Sequence, residues 1–266
     1  MHILLDPDAR PVVGHRGNRA HAPENTIESF RQAIAVGVDA LELDVHLSAD
    51  GEVVVIHDPA VDRTTDGAGT VADMPWDTLR RLDAGNRFTA DGGRTFPYRG
   101  QGLGVPRMTD VLAAFPDTPL LIEIKTPRAS AALRAVIERH SATARCIVES
   151  FHDSAAAPFA GSAIAVGAAQ GDVTRLLWRA LLRRPAAAVP FRFMSIPTSF
   201  RGVPVPIAGL VVATRAAGAP VHVWTVNEPA QAARLWARGV CAIISDDPAT
   251  MLALRPRIVG RATARR

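Results

Sequence analysis

The sequence predicts an α/β fold, a (β/α)8 TIM barrel with a small inserted cap after its second strand, on three observations. Short apolar runs alternate with amphipathic segments from end to end, as repeated βα units around a parallel sheet require. The alternation supplies eight such units. The length of 266 residues suits one closed barrel, which runs to roughly 250 residues, and no GxGxxG fingerprint follows the first strand as in many dinucleotide-binding open sheets.

Residues 12–15 read as the first strand. A helix follows over 25–36, with Glu24, Asn25 and Thr26 offering capping oxygens at its start and Gly37 ending it. Residues 40–45 form the second strand, and 53–56 a short extra one turned by Asp50-Gly51. From 58 to 106 the periodicity weakens and Gly, Asp, Thr and Arg become common. That stretch is too long for an ordinary connection, so it reads as a functional insertion. Further strands are expected at 120–124, 146–150, 163–166, 191–196, 221–226 and 241–245. Helices are expected at 109–115, 129–139, 173–183, 207–217, 229–238 and 248–254. The unit around 154–168 is the weakest.

Composition bounds the rest. Hydrophobic residues at 48 % and charged residues at 21 % exclude a disordered or fibrous chain. A single domain over 1–266 is expected, with 58–106 as its cap and 256–266 as a solvated basic tail. The net charge of +4 is small, the basic residues are scattered and aromatics are only 5 %. That argues against a nucleic-acid partner. Cys146 and Cys241 sit in apolar runs without metal-ligand spacing, as buried thiols do. No apolar run reaches membrane-span length and residues 1–16 lack a signal-peptide pattern, so a cytoplasmic protein without stable membrane insertion is expected. A homo-oligomer stays open.

The chemistry concentrates at strand ends. Glu42 and Asp44 alternate with Leu41, Leu43 and Val45, so both carboxylates share the inward face of a strand near the catalytic rim. Two inward acids are costly without a compensating cation. One divalent ion with a taste for oxygen, Mg²⁺ or Ca²⁺, is the natural compensator; buried ion pairs to Arg are the bland alternative. Glu123-Ile124-Lys125 repeats the geometry on the next strand. Lys125 is the only lysine in a chain that otherwise uses arginine, which points to a place where a compact ammonium is needed. Three acids, one ammonium and a metal at one mouth suit a phosphate. His15 and His57 end neighbouring runs and can serve as general base and acid, while Arg16 suits bidentate grip of phosphate. His21, His140 and His152 read as surface or loop residues. So does His46, although its spacing from Asp44 leaves a place on the same face open.

Taken in order, Gly14-His15-Arg16-Gly17, Pro23-Glu24-Asn25-Thr26, Glu42-Leu43-Asp44-Val45, His57-Asp58-Pro59 with Asp62-Arg63-Thr64-Thr65, and Glu123-Ile124-Lys125 resemble the glycerophosphodiester phosphodiesterase family. Residues 221–227 and 243–248 look like its last two strands. The resemblance implies metal-dependent hydrolysis of a small glycerophosphodiester to sn-glycerol 3-phosphate and an alcohol, by two-histidine acid–base catalysis through a cyclic phosphate. It implies Glu42, Asp44 and Glu123 as metal ligands, His15 and His57 as the acid–base pair, and Arg16 and Lys125 as phosphate contacts. It offers Asn18 or Asn25 as a further ligand and Trp224 as pocket wall, with an ordinary core tryptophan the other reading. The cap shapes the alcohol side. A lysophospholipase D acting on long-chain lysophospholipids is the alternative, and it needs an apolar groove supplied by Phe88, Phe96 and Tyr98 or by residues 176–182.

Overall fold

A computed structural model describes residues 2–263, with side-chain surroundings given through Arg255. The basic side chains expected from 256 onward lie outside those described. In chain order the elements are β1 (Val12–His15), α1 (Ile27–Ala35), β2 (Ala40–Leu47), β3 (Val53–Val55), α2 (Trp76–Leu79), α3 (Met108–Ala114), β4 (Leu120–Ile124), α4 (Ser130–Arg139) and β5 (Cys146–Glu149). There follow β6 (Ala165–Val166), α5 (Gln170–Leu181), β7 (Met194–Pro197), β8 (Ser199–Phe200), β9 (Val203–Pro204), α6 (Ile207–Arg215), β10 (Val221–Trp224), α7 (Pro229–Ala237), β11 (Ala242–Ser245) and α8 (Pro248–Thr263).

Eight of these strands run parallel in the order β6-β5-β4-β2-β1-β11-β10-β7. A parallel bridge between Gly167 and Phe193 joins the two ends. There the Arg192 N–H donates to Val166 O and the Ala168 N–H to Phe193 O, each at 2.9 Å. The sheet therefore closes on itself, which is the predicted barrel. Closure through so short a β6 requires Gly167, because a Cβ there would lie 2.8 Å from the Phe193 ring.

The period-2 alternation sorts side chains as expected. Leu41, Leu43 and Val45 are fully buried in the outer layer with Phe30, Val111 and Leu133, each such burial contributing about 1.5–3 kcal/mol. Leu4, Val13, Leu121, Ile147 and Phe193 fill the floor of the barrel. His222 belongs to this floor: its ring stacks on Phe193 at 5.1 Å and its Nε2 lies 2.8 Å from Leu4 O. Burial pushes it down to about 4, so it stays neutral.

Most boundaries shift by a residue or two, for local reasons. Helix α1 begins at Ile27 because Asn25 adopts a positive φ of 58° and Thr26 serves as N-cap, accepting from Ser29 N. The weak unit contains a 3-10 turn over Asp153–Phe159 instead of an α-helix, with Pro158 inside it removing a donor. The β8–β9 hairpin was not anticipated. It turns at Arg201-Gly202, with φ of 50° and 80°, and an arginine in that conformation carries no turn signature in sequence.

Strand β3 pairs antiparallel with β2, and the insertion after it carries a small core of its own around Val54, Ile56, Val61, Val71 and Leu79. Among the described residues no helix is long and apolar enough to cross a membrane.

Candidate active site

Strand register assembles the site. His15 is beside Glu42, Asp44 beside Glu123, and Glu123 beside Glu149 across β1, β2, β4 and β5. Oxygen atoms of Glu42, Asp44 and Glu123 all lie within 4.8 Å of one another. Two cations reach into this cluster. Lys125 Nζ is 2.9 Å from Glu123 Oε2 and 3.1 Å from Asp44 Oδ1, and Arg16 Nε is 3.2 Å from Asp44 Oδ2. Arg16 is fixed from behind by Glu24 at 2.8 Å, and its own N–H donates to Glu42 Oε2 at 3.0 Å.

The turn that presents His15 and Arg16 explains its glycines. A Cβ on Gly14 would meet Gly17 O at 2.7 Å. Gly17 has φ +90° and touches Ser29, whose Oγ a Cβ would approach to 2.4 Å. The Ser29 hydroxyl donates to Arg16 O and accepts from Asn18 N, closing the turn onto α1.

The electrostatics favour a further positive charge. Burial and the neighbouring Asp44 carboxylate push Glu42 well above the ordinary carboxylate range. Burial raises Glu123 against the opposing pull of Lys125. For Asp44 burial works upward, yet Lys125, Arg16 and other partners outweigh it and hold the group below its usual value. The buried Asp44 Oδ1 has no hydrogen-bond partner of good geometry. Three converging carboxylates, with the Lys125 ammonium beside the buried Asp44 Oδ1, fit the donor set of a hard divalent cation.

Each histidine is oriented by an acid. His15 Nδ1 lies 2.6 Å from Asp246 Oδ1, and its Nε2 is 4.0 Å from Glu42. His57 Nδ1 lies 2.6 Å from Asp58 Oδ1. In both rings burial lowers the pKa more than the carboxylates raise it, so the neutral imidazole is favoured near pH 7. Asp246 is itself held far below the usual carboxylate range: the His15 hydrogen bond, the His15 and Arg19 charges and the Asn227 amide together outweigh burial.

A cavity of about 130 Å³ is lined by both histidines, Arg16, Lys125, Glu42 and Glu123, with Trp224 and Phe151 closing one side edge to face. Trp224 is half-buried and lines this cavity. Glu149, Phe151 and Trp224 also line a second, apolar groove of about 380 Å³ that runs outward between α5 and the β8–β9 hairpin.

Seven of the eight sequence-predicted residues line this cavity, and the eighth, Asp44, is buried against Arg16 and Lys125. Asn18 does not line it: its side-chain NH₂ donates to Gln32. Asn25 is close, but its amide donates to Asp44 Oδ2 and its oxygen accepts from Asp44 N, so it orients a carboxylate. His46 is buried, contrary to the surface reading, because its Nε2 engages His57 O at 3.1 Å and steadies that loop. Phe88 and Tyr98 meet edge to face at 5.3 Å, with the Tyr98 hydroxyl donating to His21 O. They lie outside the apolar groove, whereas Leu177 lines it. Sequence reasoning missed Asp246 and Glu149. Glu149 ends β5 one strand beyond Glu123, and burial pushes it up to about 8.

The model of the Glycerophosphoryl diester phosphodiesterase family matches residues 15–250. The chain belongs to this family. It is therefore an enzyme of the phosphoric diester hydrolase class. A glycerophosphodiester phosphodiesterase of Caldanaerobacter subterraneus subsp. tengcongensis is 33 % identical over 253 residues, covering 91 % of this chain and 96 % of the relative. The glycerophosphoryl diester phosphodiesterase domain of a Mycobacterium tuberculosis protein superposes with a TM-score of 0.79 at 25 % identity, over 94 % of this chain and 99 % of that one. An Oleispira antarctica phosphodiesterase, solved with the product sn-glycerol-3-phosphate, gives a TM-score of 0.73 at 27 % identity, over 92 % and 96 %.

Proposed function

We propose that this enzyme hydrolyses a glycerophosphodiester to sn-glycerol 3-phosphate and an alcohol, with His15 and His57 as its acid–base pair. The observation that carries the reading is the pair of rings, each held through Nδ1 by a carboxylate at 2.6 Å, on one cavity with three acids and two cations. Fixing Nδ1 in this way leaves Nε2 to meet substrate. The sn-glycerol-3-phosphate bound to the Oleispira antarctica relative is consistent with that substrate class.

In this reading Arg16 and Lys125 hold the phosphate oxygens over the acid cluster. One histidine takes the proton of a glycerol hydroxyl as its oxygen attacks phosphorus. The other protonates the departing alcohol oxygen, leaving a cyclic phosphate. Water then opens the ring with the two roles reversed. Glu42, Asp44 and Glu123 would hold one divalent ion, Mg²⁺ or Ca²⁺, which when bound lends Lewis-acid stabilisation to a phosphoryl oxygen. Trp224 and Phe151 shield one flank from water, and the 58–106 insertion, within the same single domain, bounds the alcohol side next to His57.

The apolar groove beside Trp224 favours a second substrate reading, in which the organic group carries a single acyl chain as in a lysophospholipid. Hydrolysis of glycerophosphocholine and lysophosphatidylcholine after EDTA treatment, then with Mg²⁺, Ca²⁺ or Mn²⁺ restored, tests both readings. His15→Ala and His57→Ala should each lower turnover by about 10²–10⁴-fold. Activity indifferent to thorough chelation, or more than about a tenth of wild-type rate in both variants, defeats the assignment.

A further inference from the structure

Helix α5 presents to solvent a face that surface helices ordinarily keep polar. Its inner side, with Leu176 and Ala180, is buried. On the outer side Leu177, Trp178 and Leu181 are exposed and Leu182 continues them, Leu181 at 73 % and Leu182 at 61 %. An amphipathic helix of a water-facing protein reverses that pattern. Beside it the β8–β9 hairpin exposes Phe200 and Val203. Of the nine large apolar side chains exposed among the described residues, seven lie on α5, at its C-cap or in the wall of the groove it borders. Their concentration on one helix and the groove beside it calls for an explanation that single exposed apolar residues would not need.

The charge on this face has one sign. Arg175, Arg179, Arg183 and Arg184 follow α5 and its end, and Arg201 tips the hairpin. Two of these cations stand over the aromatic rings of the patch, Arg179 at 4.5 Å from the Trp178 centroid and Arg201 at 5.5 Å from that of Phe200. The nearby acids, Asp172 and Asp153, sit at the opposite, N-terminal end of the helix. Asp172 is paired with Arg175 there, and Asp153 accepts from Gly171 N.

The occupant follows from that chemistry. Aliphatic Leu181 and Leu182 offer no flat face for base stacking, which disfavours a nucleic acid. A symmetric second copy would set the same arginines against one another. An anionic lipid surface meets both halves, taking apolar side chains into the headgroup–acyl boundary and arginines onto its phosphates. The groove behind the patch runs to Trp224 and Glu149 at the catalytic cavity, so the face borders a path from the surface to the site. We propose that α5 and the β8–β9 hairpin dock the enzyme reversibly on an anionic membrane surface.

Flotation of the full chain tests this with vesicles of phosphatidylcholine alone and of equal parts phosphatidylcholine and phosphatidylglycerol. Wild type should float with the anionic vesicles only, and less so as salt is raised. The double substitution Leu181→Asp, Leu182→Asp should abolish flotation. Arg183→Gln with Arg184→Gln should cut partition roughly 25-fold, about fivefold for each lost cation. Both variants should keep the wild-type melting temperature, since all four side chains are exposed. Equal flotation of wild type and both variants, or none by wild type, overturns the proposal. So does a wild-type dimer in sedimentation equilibrium that Leu181→Asp, Leu182→Asp dissociates, because the face would then serve a second copy.

Discussion

Replacing Asp246 by Asn tests the least obvious part of the site. Asp246 follows β11, and its Oδ1 lies 2.6 Å from His15 Nδ1 while Arg19 and Asn227 hold the same carboxylate at 3.2 Å and 3.0 Å. An asparagine fills the same space but loses the charge. Its oxygen can serve His15 or Arg19, and its NH₂ then faces the other donor. A charge-assisted hydrogen bond contributes about 1.5–3 kcal/mol, so kcat/KM should fall by about 10- to 150-fold. The fold should survive, because Arg19 keeps Glu24 at 3.0 Å. The pH profile carries the sharper reading. Burial lowers the His15 pKa and Asp246 opposes it, so the variant's His15 must titrate at still lower pH. If His15 is the base in the free enzyme, the acid limb of kcat/KM moves down; if it is the acid, the basic limb does. The moving limb therefore names the role. A rate within about threefold of wild type with an unmoved profile would falsify the view that Asp246 tunes and orients a catalytic histidine.

Lys125→Arg conserves charge but forces a planar guanidinium between Glu123 and Asp44, where Nζ now sits at 2.9 Å and 3.1 Å. Steady-state kinetics should show kcat/KM lowered by about tenfold or more, and melting should show a loss on the order of 1–3 kcal/mol. Gly17→Ala places a methyl 2.4 Å from Ser29 Oγ at φ +90°, so thermal denaturation should register a loss of about 1–3 kcal/mol, and activity should fall with it. Mg²⁺ or Ca²⁺ should raise the melting temperature of wild type but not of Glu123→Gln. Because Glu42 must shed a proton raised well above its usual pKa, the metal concentration needed should fall as pH rises from 5 to 8.

The parts legible in sequence are those that local periodicity encodes. Glu42-Leu43-Asp44 and Glu123-Ile124-Lys125 declare two faces within three residues, and the register between β2 and β4 only had to bring them abreast. Asp246 was not legible as His15's partner. The two are 231 positions apart, and what joins them is the pairing of the first strand, β1, with the last, β11. His46 shares a strand with Asp44, yet its bond is to a backbone carbonyl eleven residues on, a partner no side-chain pattern records. The apolar groove depends on a hairpin of two-residue strands, too short for any period to mark.

A count of charges explains why so acidic a site is compatible with a closed barrel. Glu42, Asp44, Glu123 and Glu149 face one another across adjacent strands, and among the described residues two cations, Arg16 and Lys125, reach in to meet them. Asp44 claims both cations and stays ionised. The deficit falls on Glu42, Glu123 and Glu149, all raised, the last pushed up to about 8 and so protonated at neutral pH. Protonation is one resolution, since a neutral carboxyl avoids the cost of a buried unpaired charge. A divalent cation at the Glu42–Asp44–Glu123 cluster is the other, and it would leave Glu149, at the threshold of the apolar groove, as the group still able to hold its proton. The same four acids then divide into a charged set that suits a metal and a neutral one that suits an apolar neighbour. Glu123 and Glu149 both line the two cavities, so the charged and the neutral acid meet where the catalytic cavity opens into the apolar groove.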